Sequence, residues 1–483
     1  MRPPPARPPP ALGGGPRPAR PRIGAPCTRG HAARPKLTAA AAPSRGSPAP
    51  APPLPPDRCY GCGEPLQTTA PDALGYVDAA AVAAKAARRQ RGMLNCARCR
   101  GLAHGGLIVG VAESWMELGG AGGGGPRRLA TPADLRLELA GLAASKVLAV
   151  AIVDCLDVPG SLLTRVRDLV GANPVFLVGT RADLLPVDAA PLDALASWLA
   201  DAAARRKLTV AGAVAVSSKT GAGVARAVAA LRRERLGRDV VVLGAANVGK
   251  SAFVRAMVRD MARATSAQYE PAAASISSRL PTASPVPGTT LGRIPLRAFG
   301  DGAHLCDTPG VHLHHRLLHS LAPGEVRALQ PTGPLRPLPA PGPAGAGSTY
   351  LWGGIARLDV VGAPAGAAIS FVGPAALTVA SLPLAAGPLP AAATDAAAGA
   401  PDSGPAFGRQ SADARGGLRA VRTATLVGAA VDVCVSGLPG WIELRAPPGC
   451  DLQGTAVTVW APPGVEAFLR PPVPRVGERT GGV

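Results

Sequence analysis

Short apolar runs alternate with Ala- and Arg-rich stretches through the middle of the chain. Lys146–Asp154, Pro174–Gly179, Leu208–Ser217, Asp239–Gly244 and Ala303–Asp307 read as strands, and Leu192–Arg206 and Gly223–Arg235 as helices between them. Strands alternating with helices predict a mostly parallel sheet covered on both faces, an α/β domain over 131–321. A Pro/Gly-rich stretch from Pro323 to Gly347 marks a boundary. Beyond it, Leu358–Val361, Ile369–Val372, Ala430–Val435 and Thr455–Trp460 predict a small β-rich domain over 348–483. A low-complexity insert at about 385–416 interrupts that domain and reads as disordered. Upstream, residues 57–118 hold two cysteine pairs and end at a flexible Gly-rich linker, 119–126.

Residues 1–56 have no apolar periodicity and no Asp or Glu, yet carry nine Arg or Lys side chains. That is the charge pattern of an organelle transit peptide, chloroplast before mitochondrion; a disordered basic tail is the alternative. The whole chain has a net charge of +20, which suits an anionic partner such as nucleic acid, nucleotide or an acidic membrane surface. With 483 residues and 47% apolar content, two to four domains with sizeable cores are expected. No uncharged apolar run is long enough to span a bilayer.

Gly244-Ala-Ala-Asn-Val-Gly-Lys-Ser251 is a full phosphate-loop pattern between an apolar strand and a helix-compatible segment. Backbone amides of Gly244, Asn247, Val248, Gly249 and Ala252 can wrap a phosphate. Lys250 reaches the β/γ oxygens, and the Ser251 hydroxyl ligates Mg²⁺. Leu305-Cys-Asp-Thr-Pro-Gly310 closes another short strand, so Asp307 can hold Mg²⁺ through water and the Gly310 amide can bind a γ-phosphate. Pro287-Gly-Thr-Thr290 offers hydroxyls to complete the metal shell, Thr290 before Thr289.

The choice of purine requires a reader. Phe176-Leu-Val-Gly-Thr-Arg-Ala-Asp183 ends in a carboxylate able to accept two guanine donors, which rejects adenine; Thr180 and Arg181 flank the base. Val216-Ser-Ser-Lys-Thr-Gly221, with Ser217, Ser218 and Lys219, can present the Ser218 amide to guanine O6. GTP and GDP are the expected ligands.

Four thiolates from Cys59, Cys62, Cys96 and Cys99 can complete a tetrahedral Zn²⁺ site, one knuckle per Cys-x-x-Cys pair; two unrelated pairs or a redox dithiol are the alternatives. His312, His314 and His315 follow the Asp-Thr-Pro-Gly turn and are expected on a mobile switch surface. Val311 occupies the position where many small GTPases carry a water-orienting glutamine, so intrinsic hydrolysis should be slow.

The order of these segments, base readers first and phosphate loop after, resembles the circularly permuted YqeH-type GTPases. The cysteine pairs, Val153–Ser161, Trp352–Asp359 and Ser436–Ile442 resemble that family too. This resemblance implies a circularly permuted P-loop GTPase domain between a zinc module and a C-terminal RNA-binding domain. It also implies a role in assembly of the small ribosomal subunit through ribosomal RNA, and kinship with organellar proteins once described as nitric-oxide-associated. Resemblance to potassium-stimulated GTPases implies Asn247 as a K⁺ ligand, catalysis then resting on Lys250, Asn247 and Thr290. Thr180-Arg-Ala-Asp183 departs from the family's usual Asn/Thr-Lys-x-Asp. A GTP-binding RNA scaffold with little hydrolysis, and a zinc-dependent RNA-binding protein with a vestigial nucleotide domain, are the competing readings.

Overall fold

A computed structural model describes residues 58–71, 73–88, 94–103, 139, 141–163, 165–283, 289–321, 323–342, 347–384 and 417–477. The leader 1–56, the Gly-rich linker 119–126, Pro287, Gly288 and the insert 385–416 lie outside these residues.

The central sheet has six strands: β1 (Val147–Asp154), β2 (Val175–Thr180), β3 (Gly212–Ala215), β4 (Asp239–Gly244), β5 (Ile294–Leu296) and β6 (Leu305–Asp307). Their order is β3-β2-β1-β4-β6-β5. All neighbours are parallel except β5 and β6, which pair antiparallel at the edge. All eight β1 residues are buried, which explains its unbroken apolar run: both faces are covered. On the helix Leu192–Arg205 the buried Leu195, Trp198, Leu199 and Ala203 form one stripe at helical spacing. Lys250–Ala262 buries Phe253, Val254, Met257, Val258 and Met261 in the same manner.

Two differences from the sequence reading have local causes. The strand expected over Leu208–Ser217 keeps only Gly212–Ala215. Strand β5 was not foreseen, being three residues long with Pro295 at its centre, a residue confined to edges because it cannot donate to a ladder.

The C-terminal region forms two five-stranded antiparallel sheets. One comprises β7 (Arg336–Pro339), β10 (Ala368–Gly373), β13 (Ala430–Val435), β14 (Trp441–Arg445) and β16 (Ala467–Arg470). The other holds β8 (Gly347–Trp352), β9 (Ala356–Val361), β11 (Val379–Pro383), β12 (Arg419–Thr425) and β15 (Ala456–Ala461). Tyr350, Trp352, Phe371, Ile442 and Val459 share a core with Leu317, Leu318 and Leu329, so chain well before residue 348 packs with these sheets. Conversely Val372, Cys434, Trp441 and Phe468 pack into the core of the central sheet. Arg470 bridges the two, its guanidinium 4.9 Å from the Trp198 ring and 4.8 Å from that of Trp441.

Candidate nucleotide-binding site

Five parallel strands end on one side of the sheet, where α/β folds place their ligands. Strand β4 delivers the loop Ala245–Gly249 into the N-terminus of Lys250–Ala262, where helix amides and dipole favour an anion. Gly249 takes φ 88°, and Asn247, a non-glycine, takes φ 61°. Lys250 is buried, its Nζ donating to Ala245 O at 2.8 Å and Gly244 O at 3.2 Å. Burial lowers its ammonium to about 8, against the opposing pull of Asp307.

Asp307, at the end of β6, accepts from the Ser251 hydroxyl at 2.7 Å and from Thr290 Oγ1 at 3.2 Å; the two hydroxyls are 3.1 Å apart. Its Oδ1 is buried without a hydrogen-bond partner, and burial raises the carboxyl. A spare carboxylate oxygen beside two hydroxyls is a hard oxygen set that fits Mg²⁺. Gly310 is required by space: a Cβ there would stand 2.7 Å from Ala246 Cα and 2.9 Å from Lys250 Nζ. The next residue, Val311, is buried and bonded to the phosphate loop through Val311 N to Gly244 O and Ala246 N to Val311 O.

Thr180, Arg181, Asp183, Ser218 and Lys219 meet Asn247, Gly249, Lys250, Ser251, Ala252, Thr290 and Gly310 around one cavity of about 410 Å³. That volume falls in the range of small-molecule sites. Of the remaining sequence-predicted residues, Gly244, Val248, Ser217 and Asp307 stand behind the lining. The Thr180 hydroxyl donates to Val248 O at 2.6 Å, tying the end of β2 to the loop Ala245–Gly249. Ser217 Oγ accepts from Thr220 N and holds the following turn. Arg181 pairs with Asp154 at 2.5 Å, and its second nitrogen reaches Asn247 O at 2.9 Å and Oδ1 at 3.3 Å. The Asn247 oxygen expected to face K⁺ therefore takes a guanidinium here.

Gln330 and Pro331, which the sequence reading did not single out, also line the cavity. Lys219 Nζ donates to Thr332 O at 3.4 Å beside them. They lie in a Pro/Gly-rich boundary, and no local pattern points to a site.

The histidines differ from expectation. His312 is buried, and burial lowers its pKa to about 4; His315 is half-buried with Nε2 3.1 Å from Gly160 O; His314 is exposed. Buried Leu313, Arg316, Leu317 and Leu318 draw the segment inward. Arg316 donates to Ala246 O at 2.7 Å and pairs with the buried Asp157 at 3.0 Å. Asp157 in turn accepts from the Gly437 amide at 3.0 Å. Despite Arg316, burial pushes the Asp157 carboxyl up to about 7.

Cys59, Cys62, Cys96 and Cys99 are buried, with their sulfurs within 4.8 Å of one another. Cys96 N donates to Cys59 Sγ at 3.3 Å and Cys99 N to Cys96 Sγ at 3.4 Å. Four converging sulfurs supported by amides are a donor set that fits Zn²⁺.

The chain is 37% identical over 451 residues to the Arabidopsis thaliana protein named NO-associated protein 1, chloroplastic/mitochondrial, covering 86% of this chain and 76% of that one. It belongs to the YqeH and NO-associated protein family. Bacillus subtilis YqeH is 30% identical over 303 residues, 63% of this chain and 72% of YqeH. A family model described as "50S ribosome-binding GTPase" matches residues 239–328, the stretch from β4 through Asp307 to Ala328. The match to the GTPase family model makes this a GTP-binding, GTP-hydrolysing protein at family level, and the cluster of Ser251, Thr290 and Asp307 oxygens sits within the matched stretch.

Proposed function

We propose that the chain is a circularly permuted GTPase acting in assembly of the small ribosomal subunit of an organelle, chloroplast before mitochondrion. Ribosomal RNA would be held by the zinc module and the C-terminal sheets. The observation that carries the nucleotide part is the shared cavity. Asp183 and Ser218, from segments preceding the phosphate loop, face the same space as Lys250, Ser251 and Thr290. The name of the Arabidopsis relative supports an organelle, and a net charge of +20 supports an RNA partner. We read 57–118 as the zinc module, 131–321 as the GTPase domain and 348–483 as the RNA-binding domain.

Asp183 accepts the guanine N1 and N2 hydrogens, and Ser218 offers its amide to O6. Arg181 lies between base and loop, anchored by Asp154. The amides of Asn247, Gly249, Lys250, Ser251 and Ala252, which line the cavity, surround the phosphates, with Gly244 and Val248 shaping the loop behind them, while Lys250 spreads the charge that develops on the β–γ bridge. Ser251, Thr290 and Asp307 are the residues for Mg²⁺, which when bound neutralises the β- and γ-phosphates. Gly310 donates its amide to the γ-phosphate. Asn247 is the residue for K⁺, provided its amide oxygen turns away from Arg181.

Val311, buried against the phosphate loop, cannot orient water, which favours slow intrinsic turnover and keeps the alternative of a GTP-binding RNA scaffold. GTP turnover with K⁺, measured with and without purified small and large subunits, tests the proposal. Acceleration by the small subunit supports it. A rate that neither subunit changes favours the scaffold.

A further inference from the structure

The first cysteine knuckle does more than surround a metal: it grips the switch segment from both ends. Gly61 O accepts from Thr282 N at 3.0 Å, and Cys62 O accepts from Leu291 N at 2.9 Å and Gly292 N at 3.1 Å. From the second knuckle, Arg98 donates to Thr289 O at 3.3 Å. Leu291 packs on the buried cluster formed by the four cysteines, Val77 and Leu94. Contact at Gly61 is close enough that a Cβ there would stand 2.4 Å from Thr282 Oγ1. The residues making these bonds are a cysteine of the metal set or immediate neighbours of one, so their positions follow from how the four sulfurs are held together.

Between the gripped residues sits Thr290, one residue from Leu291 and one from Thr289, with its hydroxyl already 3.1 Å from Ser251 Oγ. Thr289 and Thr290 are both buried. In a GTPase the switch threonine joins the metal shell only when a γ-phosphate is present. The four knuckle contacts, to the backbones of Thr282, Thr289, Leu291 and Gly292 around Thr290, therefore bear on the triphosphate state selectively.

We propose that the zinc module is a clamp that presets Thr290 for the triphosphate state, with Arg98 as a positioning residue, so that metal occupancy sets the preference for GTP over GDP. The proposal rests on the guanine-nucleotide reading of the cavity. A clamped threonine needs no ordering when GTP and Mg²⁺ bind; a released one must be ordered at that step, which weakens GTP and leaves GDP alone.

The test uses the full chain with Mg²⁺ and measures affinity for GDP and for a non-hydrolysable GTP analogue, alongside zinc content. Arg98→Ala is expected to keep its zinc and its GDP affinity and to lose about tenfold for the analogue, the loss of one charge-assisted hydrogen bond. Arg98→Lys is expected to recover part of that loss. Stripping zinc with a chelator should give a larger loss, again confined to the analogue. Equal weakening of both nucleotides, or unchanged affinities after zinc is stripped, would overturn the clamp while leaving the GTPase reading intact. Wild-type protein that binds neither nucleotide would remove both.

Discussion

Lys250 lies among backbone carbonyls with its ammonium lowered to about 8 by burial. A polyphosphate needs that group charged. Below pH 8 it already is; above pH 8 the free protein must take up a proton to bind, because phosphate raises the lysine pKa again. Nucleotide affinity should therefore be flat below pH 8 and fall by up to about tenfold per unit above it, a slope that calorimetry in buffers of different ionisation enthalpy can verify. Gly310 carries a different constraint. Gly310→Ala places a methyl against Ala246 and the Lys250 amine, so nucleotide affinity should drop by at least about tenfold in direct titration, while the overall fold persists by circular dichroism. Both residues were legible in the sequence, because phosphate loops and Asp-Thr-Pro-Gly turns act through neighbours a few positions apart. Arg316 was not. Its role comes from Ala246 and Asp157, which only the folded chain brings beside it.

The segment after Gly310 links the phosphate loop to the C-terminal sheets. Arg316 holds the Ala246 carbonyl and Asp157, and Asp157 holds the Gly437 amide just before β14. Removing one partner of a buried pair leaves an uncompensated charge, and Asp157 is already raised to about 7. Arg316→Ala should cost about 3–5 kcal/mol in urea unfolding, and Asp157→Ala a similar amount, with the double variant losing less than the sum. Additive losses would show that the two residues act separately. The same link explains why His312 is buried and His315 half-buried while His314 alone stays exposed: apolar neighbours and one arginine fix the segment to three elements. Helical stripes such as Leu195, Trp198, Leu199 and Ala203 could be read from periodicity. Strand β5 could not, since three residues with a central proline carry no period.

The molecule gathers its cavity from far along the chain: Thr180, Arg181, Asp183, Ser218 and Lys219 from the ends of β2 and β3, Asn247, Gly249, Lys250, Ser251 and Ala252 from the loop and helix after β4, Thr290 and Gly310 from either side of β5 and β6, and Gln330 and Pro331 from the Pro/Gly-rich boundary. The first three sets were visible as motifs in an unusual order. The last was hidden in Pro/Gly-rich sequence whose position depends on packing with the second core. If the nucleotide state governs ribosome contact, association with small subunits should differ between GTP analogue and GDP by sedimentation, and should weaken with salt as phosphate contacts are screened. All of this depends on Asp183 reading guanine in the same cavity where Lys250 meets phosphate. Competition binding of GTP, ATP and XTP to wild type and to Asp183→Asn is the direct measurement. Wild type should select GTP and the variant XTP, because the amide restores a donor where xanthine offers an acceptor. Unchanged base preference in Asp183→Asn would contradict the assignment of this cavity.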